Sequence, residues 1–366
     1  MFITGLGTAV PARQWTQAEC WETLRGSAMF ARLAPRSQAI CRKVFNGQNG
    51  IAARHLTYDR LEEAFEWNPD ALHARFAKHA PALAAAAAQG ALTQAGLAPD
   101  DVDALLVSTC TGYLCPGLTS YVTERLGLRP EIHALDLVGQ GCGAALPSLR
   151  TAAALLAAGA ARRALCVCVE VCSAAFYLDD DPGVLISNCL FGDGAAAAVV
   201  DREPAPGRRR VRWLEAETVC RPEDREYLRF ETRGGMLRNI LAPQVPGLAA
   251  KHAEQVLAAV LERRGLRRAD LAAWILHAGG REVLVALGAQ LGVPAADLAR
   301  SAEVLRGHGN LSSPFVLFVL RDALATGAPG GLWWMASFGA GFTSHGALLE
   351  VEDDPQMNAA GRRFFP

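Results

Sequence analysis

The chain repeats part of its own sequence, and this repeat constrains the fold more than any other feature. Segment 96–107 resembles segment 265–276, and each follows an Ala-rich helical pattern and enters a β-like run. The pairs 141–142 and 309–310 match at nearly the same offset along the chain. Helical and β-like runs also alternate throughout, which is typical of layered α/β proteins. The sequence therefore predicts two copies of one α/β unit.

The repeat has a geometric consequence for residues that are far apart in sequence. We predict a boundary in the polar, Arg/Pro-rich stretch 201–210, which gives an N-terminal half of residues 1–205 and a C-terminal half of residues 206–366. Two similar halves packed face to face are related by an approximate two-fold axis, so equivalent strand ends converge. Cys142 then occupies a strand-to-helix junction in one half, and Asn310 occupies the same junction in the other.

Hydrophobic periodicity gives a coarse map of the elements. Strands are predicted near 2–8, 103–109, 131–137, 163–170, 193–201, 271–277, 331–337 and 344–351. Helices are predicted near 16–33, 77–95, 118–126, 143–158, 247–263, 280–291 and 313–326.

Composition excludes several classes of protein. The chain has 366 residues, 51% of them hydrophobic, and a net charge of -1, so it can bury one large core or two joined ones. These values do not fit a disordered protein or a protein that coats nucleic acid. The N-terminus lacks the features of a signal peptide, and the Ala-rich run 82–88 is too short to span a bilayer. We expect a cytoplasmic protein without membrane insertion or a nucleic-acid partner.

The cysteines give no sign of a metal site. Ten cysteines in a cytosolic chain of this length should be mostly reduced. Cys166, Cys168 and Cys172 lie in or beside a continuous apolar run, as expected for a buried parallel strand. Zinc sites favour CxxC pairs on turns. We therefore interpret these thiols as small core side chains and predict no bound metal.

Three residues form a candidate catalytic set. Cys142 follows an apolar run and glycines and precedes a long Ala/Leu helix, whose N-terminal field favours a thiolate. His277 ends the second-half strand that matches the first-half strand ending at Ser108, and as an imidazolium it could keep that thiolate ionised. Asn310 adds a neutral NH2 donor, which suits a transient oxyanion or enolate.

The composition of this set favours one kind of chemistry. A hydrolase triad uses a third group to orient its His, and no carboxylate takes that place here. The set fits an enzyme that holds an acyl group on Cys142 and decarboxylates a malonyl thioester, with His277 and Asn310 binding the thioester oxygen. The carbanion would then attack the acyl-Cys in a pocket that excludes water.

Plainer explanations exist for each residue taken alone. Cys142 could be a core thiol, His277 a structural histidine, and the turn at Asn310 a bare turn. Their positions at matching junctions of a duplicated chain favour the catalytic interpretation. His308 and His345 are competing candidates for the base and rank below His277.

These motifs resemble those of the type III polyketide synthases, the chalcone and stilbene synthase family, over nearly the whole chain. The matches are the nucleophile site Gly141-Cys142, the stretch His277-Ala-Gly-Gly280, the stretch Gly309-Asn310-Leu-Ser-Ser313 and the stretch Leu190-Phe-Gly-Asp-Gly-Ala195. The resemblance implies an α/β thiolase-like fold of two duplicated halves in a five-layer αβαβα arrangement.

The resemblance also implies an activity. A homodimer would load a starter acyl-CoA on Cys142, add malonyl units directly from malonyl-CoA without an acyl carrier protein, and cyclise the chain in the same pocket. CoA thioesters would be substrates, and no cofactor is expected. Departures from the plant enzymes argue against a plain chalcone synthase and favour bacterial members, which make dihydroxyphenylacetyl-CoA, alkylresorcinols or alkylpyrones.

Further site residues follow from the resemblance alone. The pocket positions are the gating residue Phe191, the residue Cys115 that reaches across the dimer, and Thr111, Cys172, Ala175, Asn239, Ser312 and Phe338. Asn239 stands where the plant enzymes have a second gating phenylalanine. Basic residues near the expected CoA entrance are Arg36, Arg42, Lys43 and Arg54, although a solvated charged face would explain them equally well.

Two other functions compete with this interpretation. The first is a ketoacyl-ACP synthase of the initiating type, which shares the Cys/His/Asn set but docks a carrier protein. In that family the His lies in a His-Gln-Ala-Asn-like motif, whereas this chain has His277-Ala-Gly-Gly280. The second is a non-catalytic relative that only binds acyl groups or partners, and the presence of all three chemical residues argues against it.

Overall fold

The structure is a computed structural model that describes residues 1–47 and 49–353. All of the strands predicted from the sequence are present, and others accompany them. The strands are β1 (Phe2–Ala9), β2 (Gln14–Thr16), β3 (Ala53–His55), β4 (Ala104–Thr109), β5 (His133–Val138), β6 (Arg163–Glu170), β7 (Gly194–Asp201), β8 (Arg210–Cys220), β9 (Leu228–Arg233), β10 (Met236–Leu241), β11 (Leu271–Leu276), β12 (Gly331–Gly339) and β13 (Thr343–Glu352).

The α-helices follow the predicted pattern less closely than the strands. They are α1 (Gln17–Arg25), α2 (Ala28–Arg32), α3 (Pro35–Asn46), α4 (Pro69–Ala95), α5 (Leu118–Leu126), α6 (Ala145–Ala157), α7 (Pro182–Leu190), α8 (Val245–Arg264), α9 (Arg281–Leu291), α10 (Ala295–His308) and α11 (Phe315–Ala325). The single helix predicted over 16–33 is divided, because Gly26 ends α1 and the Ser27 side chain caps α2 by accepting from Phe30 N.

The main sheet has nine strands in the order β11-β12-β13-β8-β1-β7-β6-β4-β5. Its two parts repeat one topology. In the first part β7 runs antiparallel to β1 and β6, and β4 runs parallel to β6. In the second part β13 runs antiparallel to β8 and β12, and β11 runs parallel to β12. The parts join where Phe2 and Ile3 of β1 pair with Arg212 and Val211 of β8.

Alternating side chains divide the core into layers. In β4, Leu105 and Val107 pack with α4 and α5, whereas Ala104 and Leu106 pack with α6 and α11. In the second half, β11 likewise turns Trp274 toward α8 and α9 and Ile275 toward α6 and α11. The layers are therefore outer helices, sheet, buried helices, sheet and outer helices, which confirms the five-layer duplicated α/β fold.

The repeat extends to the ends of the helices. Gly96 ends α4 with a φ of 70°, and Gly265 ends α8 with a φ of 62°. The residue after each glycine donates its N–H five residues back, from Leu97 to Leu92 and from Leu266 to Leu261. Such left-handed caps favour glycine because other residues carry a steric cost there. The sequence match thus reflects the same helix-to-strand connection built twice.

Several elements were not predicted from the sequence. Helices α3, α7 and α10 and strands β2, β3, β8, β9 and β10 are short, mixed in polarity or partly exposed, so their periodicity is weak. They matter here because α1, α3, α7 and the β9–β10 hairpin cover one end of the sheet. The division at residues 205 and 206 stays a prediction, and residues 354–366 of the second half lie outside the described part of the chain.

No bilayer-spanning segment is found, since each helix in residues 1–47 and 49–353 is either too short or too polar to form one.

Candidate active site

Cys142 lies where β5 leads into α6. Gly139 and Gly141 have φ of 83° and 55°, values that favour glycine, and they turn the chain before the helix begins at Ala145. Ser312 Oγ, from the second half of the chain, lies 3.3 Å from Cys142 Sγ and donates to it. The first-half junction therefore meets the second half at the thiol.

The structure favours the protonated form of this thiol. The pKa of Cys142 is raised to about 12, mainly by burial; the hydrogen bond from Ser312 lowers it, and the nearby Glu170 carboxylate adds a smaller upward contribution within that value. The expectation that the helix field alone keeps a thiolate is therefore not met. The proton must leave Cys142 as the sulfur attacks.

Asn310 occupies the equivalent junction of the second half, after Gly309 with its φ of 70°. Its Oδ1 accepts from Ser312 N at 2.8 Å, and its Nδ2 donates to Gly279 O at 3.1 Å. These bonds fix the amide plane and leave the second hydrogen of Nδ2 free to donate. Asn310 N also donates to Leu190 O, so the turn is tied to the end of α7.

His277 follows β11 and is 1% exposed. Its ring makes edge contacts with Phe315 and Phe338, at centroid distances of 5.2 and 5.1 Å. Neither ring nitrogen has a hydrogen-bond partner among the described residues. Burial lowers the pKa of His277 to about 3, so the imidazole is neutral near pH 7. A neutral ring can accept a proton at one nitrogen and donate one from the other.

Residue Gly279 brings His277 and Asn310 into one assembly. Gly279 O accepts from Asn310, and Gly279 comes two residues after His277. Phe338 contacts the His277 ring, and a Cβ on Gly279 would lie 3.4 Å from Phe338 Cζ. Hydrogen bonds thus connect Cys142, Ser312, Asn310 and Gly279 across the interface between the halves, and Phe338 lies near both Gly279 and the His277 ring.

A buried carboxylate beside the thiol escaped the sequence analysis. Glu170 ends β6 with no exposed surface, and burial raises its pKa. Its oxygens accept from Cys110 N, from the Cys110 thiol, and from the hydroxyls of Thr111 and Ser313, at 2.5 to 3.3 Å. The available signal was a lone acidic residue at the end of an otherwise apolar strand.

Most of the expected pocket residues surround this assembly. Phe191 pairs with Asn310 in an isolated bridge, and Cys172 packs in one cluster with Phe191 and against Cys142. Thr111 bonds to Glu170, and Ala175 ends the short turn that begins at Cys172.

Two of the expected pocket residues lie elsewhere in the described chain. Asn239 is on β10 and donates to Ser187 Oγ of α7 at 2.7 Å, so it packs against the helix that precedes Phe191. Cys115 is exposed and precedes Pro116 through a cis peptide bond, close to the exposed residue Tyr113. Within one chain Cys115 contributes nothing to the pocket.

The basic residues separate into two groups. Arg36, Arg42 and Lys43 are exposed on α3, as expected for either a CoA contact or a solvated face. Arg54 is 2% exposed and donates to the backbone carbonyls of Asn188 and Phe191. The placement of Arg54 beside the CoA phosphates is therefore not supported, because its guanidinium is buried and its Nη1 donates to backbone carbonyls.

The remaining histidine candidates have partners of their own, and the remaining cysteine candidates lie in the core. His308 stacks on His55, and His345 bonds to Thr218 Oγ1. Cys166 and Cys168 are core side chains of the layer that holds α6 and α11. Within residues 1–47 and 49–353 no group of His, Cys, Asp or Glu has an arrangement that could hold a metal ion.

Comparisons with known proteins point to one kind of protein in both halves of the chain. The model of the FAE1/type III polyketide synthase-like family matches residues 25–223, and the model of the chalcone and stilbene synthase C-terminal domain matches residues 222–351. A 3,5-dihydroxyphenylacetyl-CoA synthase of Streptomyces toyocaensis is 31% identical over 95% of this chain and 89% of that protein.

Two further proteins extend the comparison. An α-pyrone synthesis polyketide synthase-like protein of Mycobacterium tuberculosis is 29% identical, with 95% of this chain and 91% of that protein covered. The crystal structure of 1,3,6,8-tetrahydroxynaphthalene synthase from Streptomyces coelicolor A3(2) superposes with a TM-score of 0.86 at 25% identity, covering 96% of this chain and 99% of that one. The alternative of a carrier-protein-dependent ketoacyl synthase finds no support in these relatives.

Proposed function

This chain belongs to the type III polyketide synthase family, and from that premise we propose that it loads an acyl-CoA starter on Cys142. It then extends the acyl chain by repeated decarboxylative condensation with malonyl-CoA and cyclises the product. The observation that carries this proposal is the line of contacts from the Cys142 thiol through Ser312 to Asn310, beside a neutral buried His277. CoA thioesters serve as substrates, and the reaction needs no cofactor.

Loading begins with a protonated thiol. Sγ attacks the thioester carbonyl of the starter while its proton passes to the neutral His277 ring, so no free thiolate is required. The negative charge that develops on the carbonyl oxygen near the ring raises the pKa of His277 during this step, because an opposite charge favours the imidazolium. A carbon–sulfur bond forms to Cys142, and the carbon–sulfur bond to CoA breaks. The imidazolium returns its proton to the departing CoA sulfur. Neutral His277 is then regenerated for the next step.

Extension uses the two neutral donors. Asn310 Nδ2 and a His277 N–H hydrogen-bond to the thioester oxygen of malonyl-CoA, and they stabilise the enolate as the carbon–carbon bond to the carboxylate breaks. Carbon dioxide leaves as that bond breaks. The enolate carbon then attacks the acyl-Cys carbonyl, the carbon–sulfur bond to Cys142 breaks, and the chain, now two carbons longer, is a thioester of CoA. Cys142 Sγ leaves as a thiolate and takes up a proton before the chain is loaded again. Phe191, Phe315 and Phe338 keep water away from the acyl-enzyme.

The pocket walls decide the product. Thr111, Cys172, Ala175 and Phe191 line the space beside Cys142, and their volume sets the starter and the number of extensions. We place the product among resorcinols, pyrones and dihydroxyphenylacetyl compounds. The relatives named above are described as making a dihydroxyphenylacetyl thioester, an α-pyrone and a tetrahydroxynaphthalene.

The working form is a homodimer. Strand β5 is an edge of the nine-stranded sheet, and its Leu135 and Val138 side chains are 40% and 57% exposed. Tyr113, which is 70% exposed, adds to this apolar edge. An exposed apolar edge strand pairs readily with a second copy. Such pairing would carry Cys115 toward the neighbouring pocket.

The exposed bases Arg36, Arg42 and Lys43 receive the CoA phosphates in this proposal, and the protein works in the cytoplasm. The segment of α3, Pro35–Asn46, contains no acidic residue of its own, so these three side chains give it a net positive charge.

The test uses purified protein with malonyl-CoA and a panel of short, long and aromatic acyl-CoA starters. Wild-type protein should release carbon dioxide and a pyrone or resorcinol, identified by mass. Cys142→Ala should lower product formation by at least ~10³-fold and keep slow decarboxylation, since the donors remain. Cys220→Ala, which removes an exposed thiol, is the matched control. Full-length product from Cys142→Ala would overturn the assigned nucleophile.

A further inference from the structure

Arg54 is a buried cation with no acidic partner. It is 2% exposed, and no described carboxylate forms an ion pair or hydrogen bond with it. Its Nη1 donates to Asn188 O at 2.7 Å and to Phe191 O at 2.8 Å. A buried charge normally has a counter-charge, since removing an ion from water is costly. Arg54 therefore has N–H donors that no described residue accepts from.

The unpaired N–H donors lie on one edge of the guanidinium. Nε is buried without a partner, and Nη2 donates to no described residue. The Nε–Nη2 edge is one of the forks with which arginine binds a carboxylate through two parallel hydrogen bonds. The side-chain stem packs closely against Gly309, where a Cβ would come within 2.9 Å of Arg54 Cγ. The two carbonyl acceptors of Nη1 orient the guanidinium.

Arg54 also lines a cavity, which we call the α1–α3 cavity. Its volume is about 70 Å³ measured over the positions that the centre of a water molecule can occupy, and its empty space including the open mouth is about 580 Å³. Its other walls are mostly apolar and include Leu24, Phe45, Leu61 and Phe176. A water molecule needs roughly 10–15 Å³ of the first kind of volume, so the cavity holds roughly five to seven water-sized groups, or a chain of about eight bonded heavy atoms.

The α1–α3 cavity adjoins the gate of the active site. Leu56, Tyr58 and Phe176 line it, and they pack in one cluster with Phe191 and Cys172. Cys142 packs against the same cluster. One layer of side chains therefore separates the cavity from the pocket.

We propose that the α1–α3 cavity binds a carboxylate with an apolar body of about five carbons, its carboxylate paired with the free edge of Arg54. This inference deepens the proposed function and rests on it for the source of the ligand. The carboxylate belongs either to the far end of a dicarboxylic starter thioester or to a free acid released by hydrolysis of the acyl-enzyme. The apolar walls bind the carbon chain, and Arg54 distinguishes an acid from a neutral molecule of equal length.

The first experiment measures binding by calorimetry, without malonyl-CoA, to the full-length protein. Hexanoate should bind at least ~10-fold more tightly than hexan-1-ol, because charged hydrogen bonds are stronger than neutral ones. Arg54→Gln should remove this preference and keep hexan-1-ol binding, which also reports that the variant is folded. Thr23→Trp, which fills the cavity from α1, should weaken both ligands by at least ~10-fold, and Arg32→Gln on the exposed surface should change neither.

Three results would overturn the proposal. They are equal affinity for the acid and the alcohol, a preference that survives Arg54→Gln, and displacement of hexanoate by CoA, which would make the cavity part of the CoA passage. Since this assay involves no turnover, its failure is distinguishable from failure of the polyketide synthase activity.

A second experiment separates the two sources of the carboxylate. If the starter provides it, adipoyl-CoA should exceed hexanoyl-CoA in kcat/KM by about 10-fold with wild-type protein and lose that advantage in Arg54→Gln. If a free acid provides it, hexanoate should inhibit turnover of hexanoyl-CoA in wild type and not in Arg54→Gln. Either result identifies the source of the carboxylate that binds at Arg54.

Discussion

The two halves of the molecule share a sheet topology but build their active-site junctions differently. In the first half the edge strand β5 leads through Gly141 to Cys142 and α6. In the second half the helix α10 takes the place of that strand and leads through Gly309 to Asn310 and α11. The glycine, the turn and the following helix are retained on both sides. The difference shows that the framework fixes where a side chain is presented, while each half is free to change its chemistry.

A second pair of equivalent positions supports the same conclusion. Ser108 near the end of β4 is fully buried and shares a hydrogen bond of 2.7 Å with Ser148 of α6. Its counterpart His277 lies against Phe315 of α11 and keeps both nitrogens free of described partners. The first-half residue holds a helix to a strand, whereas the second-half residue is available for chemistry.

Polar contacts join the diverged halves at the site. Glu170 of the first half accepts from the Ser313 hydroxyl of the second half at 2.5 Å, and Ser312 reaches Cys142 from the same turn. Buried networks of this kind hold a geometry closely, because each unmet hydrogen bond is costly. The nucleophile and its donors are therefore positioned by both halves together.

The strongest test of this division of roles is Asn310→Asp, which replaces the NH2 donor with an acceptor of equal size. Malonyl-CoA decarboxylation should fall by about 10²–10³-fold, the usual loss for one oxyanion donor. Asn68→Asp is the matched control, because Asn68 caps α4 and aspartate caps equally well. Carbon dioxide release measures the effect, and an unchanged rate in Asn310→Asp would remove the second-half donor from the mechanism.

The next test concerns β5, the strand that the second half lacks. Val138→Lys places a charge on the exposed edge and should raise the dimer dissociation constant by at least ~10-fold. Light scattering after size-exclusion chromatography measures the mass. Lys251→Ala, at an exposed position of α8, serves as a surface control. If the wild-type protein is already a monomer at micromolar concentration, the proposed role of this edge is wrong.

The smallest expected effect is on the pH dependence of stability. The pKa of His277 falls from 6.5 to about 3 on folding, so the unfolded chain binds more protons between these values. The contribution of His277 to the free energy of unfolding should therefore be fully present above pH 6.5. Below that pH it should decline by up to about 1.4 kcal/mol per pH unit. His277→Gln should flatten this decline, and exposed His73→Gln should not.

Urea unfolding between about pH 7 and pH 5 measures that slope. His308 and His345 also have a pKa lowered to about 4 by burial, so part of the decline should persist in the variant. Identical slopes in wild type and His277→Gln would contradict a neutral buried imidazole at this position.

Much of the fold could be predicted from local sequence. Continuous apolar runs such as Ala104–Thr109 and Arg163–Glu170 identify buried strands, and the matched glycines that end α4 and α8 reveal the duplication. The candidate residues Cys142, His277 and Asn310 were also predicted, because equivalent junctions of a duplicated fold converge. Such features depend on neighbours along the chain, which the sequence displays directly.

Local sequence was thus enough to predict the repeated α/β unit of this protein and to propose Cys142, His277 and Asn310 as its reactive groups. The three-dimensional arrangement was needed to show that burial raises the pKa of Cys142, that Arg54 is buried beside a cavity and that Glu170 joins the two halves. The reason is that a pKa, a hydrogen bond or a burial depends on groups brought together from distant segments, and periodicity along one segment does not record them.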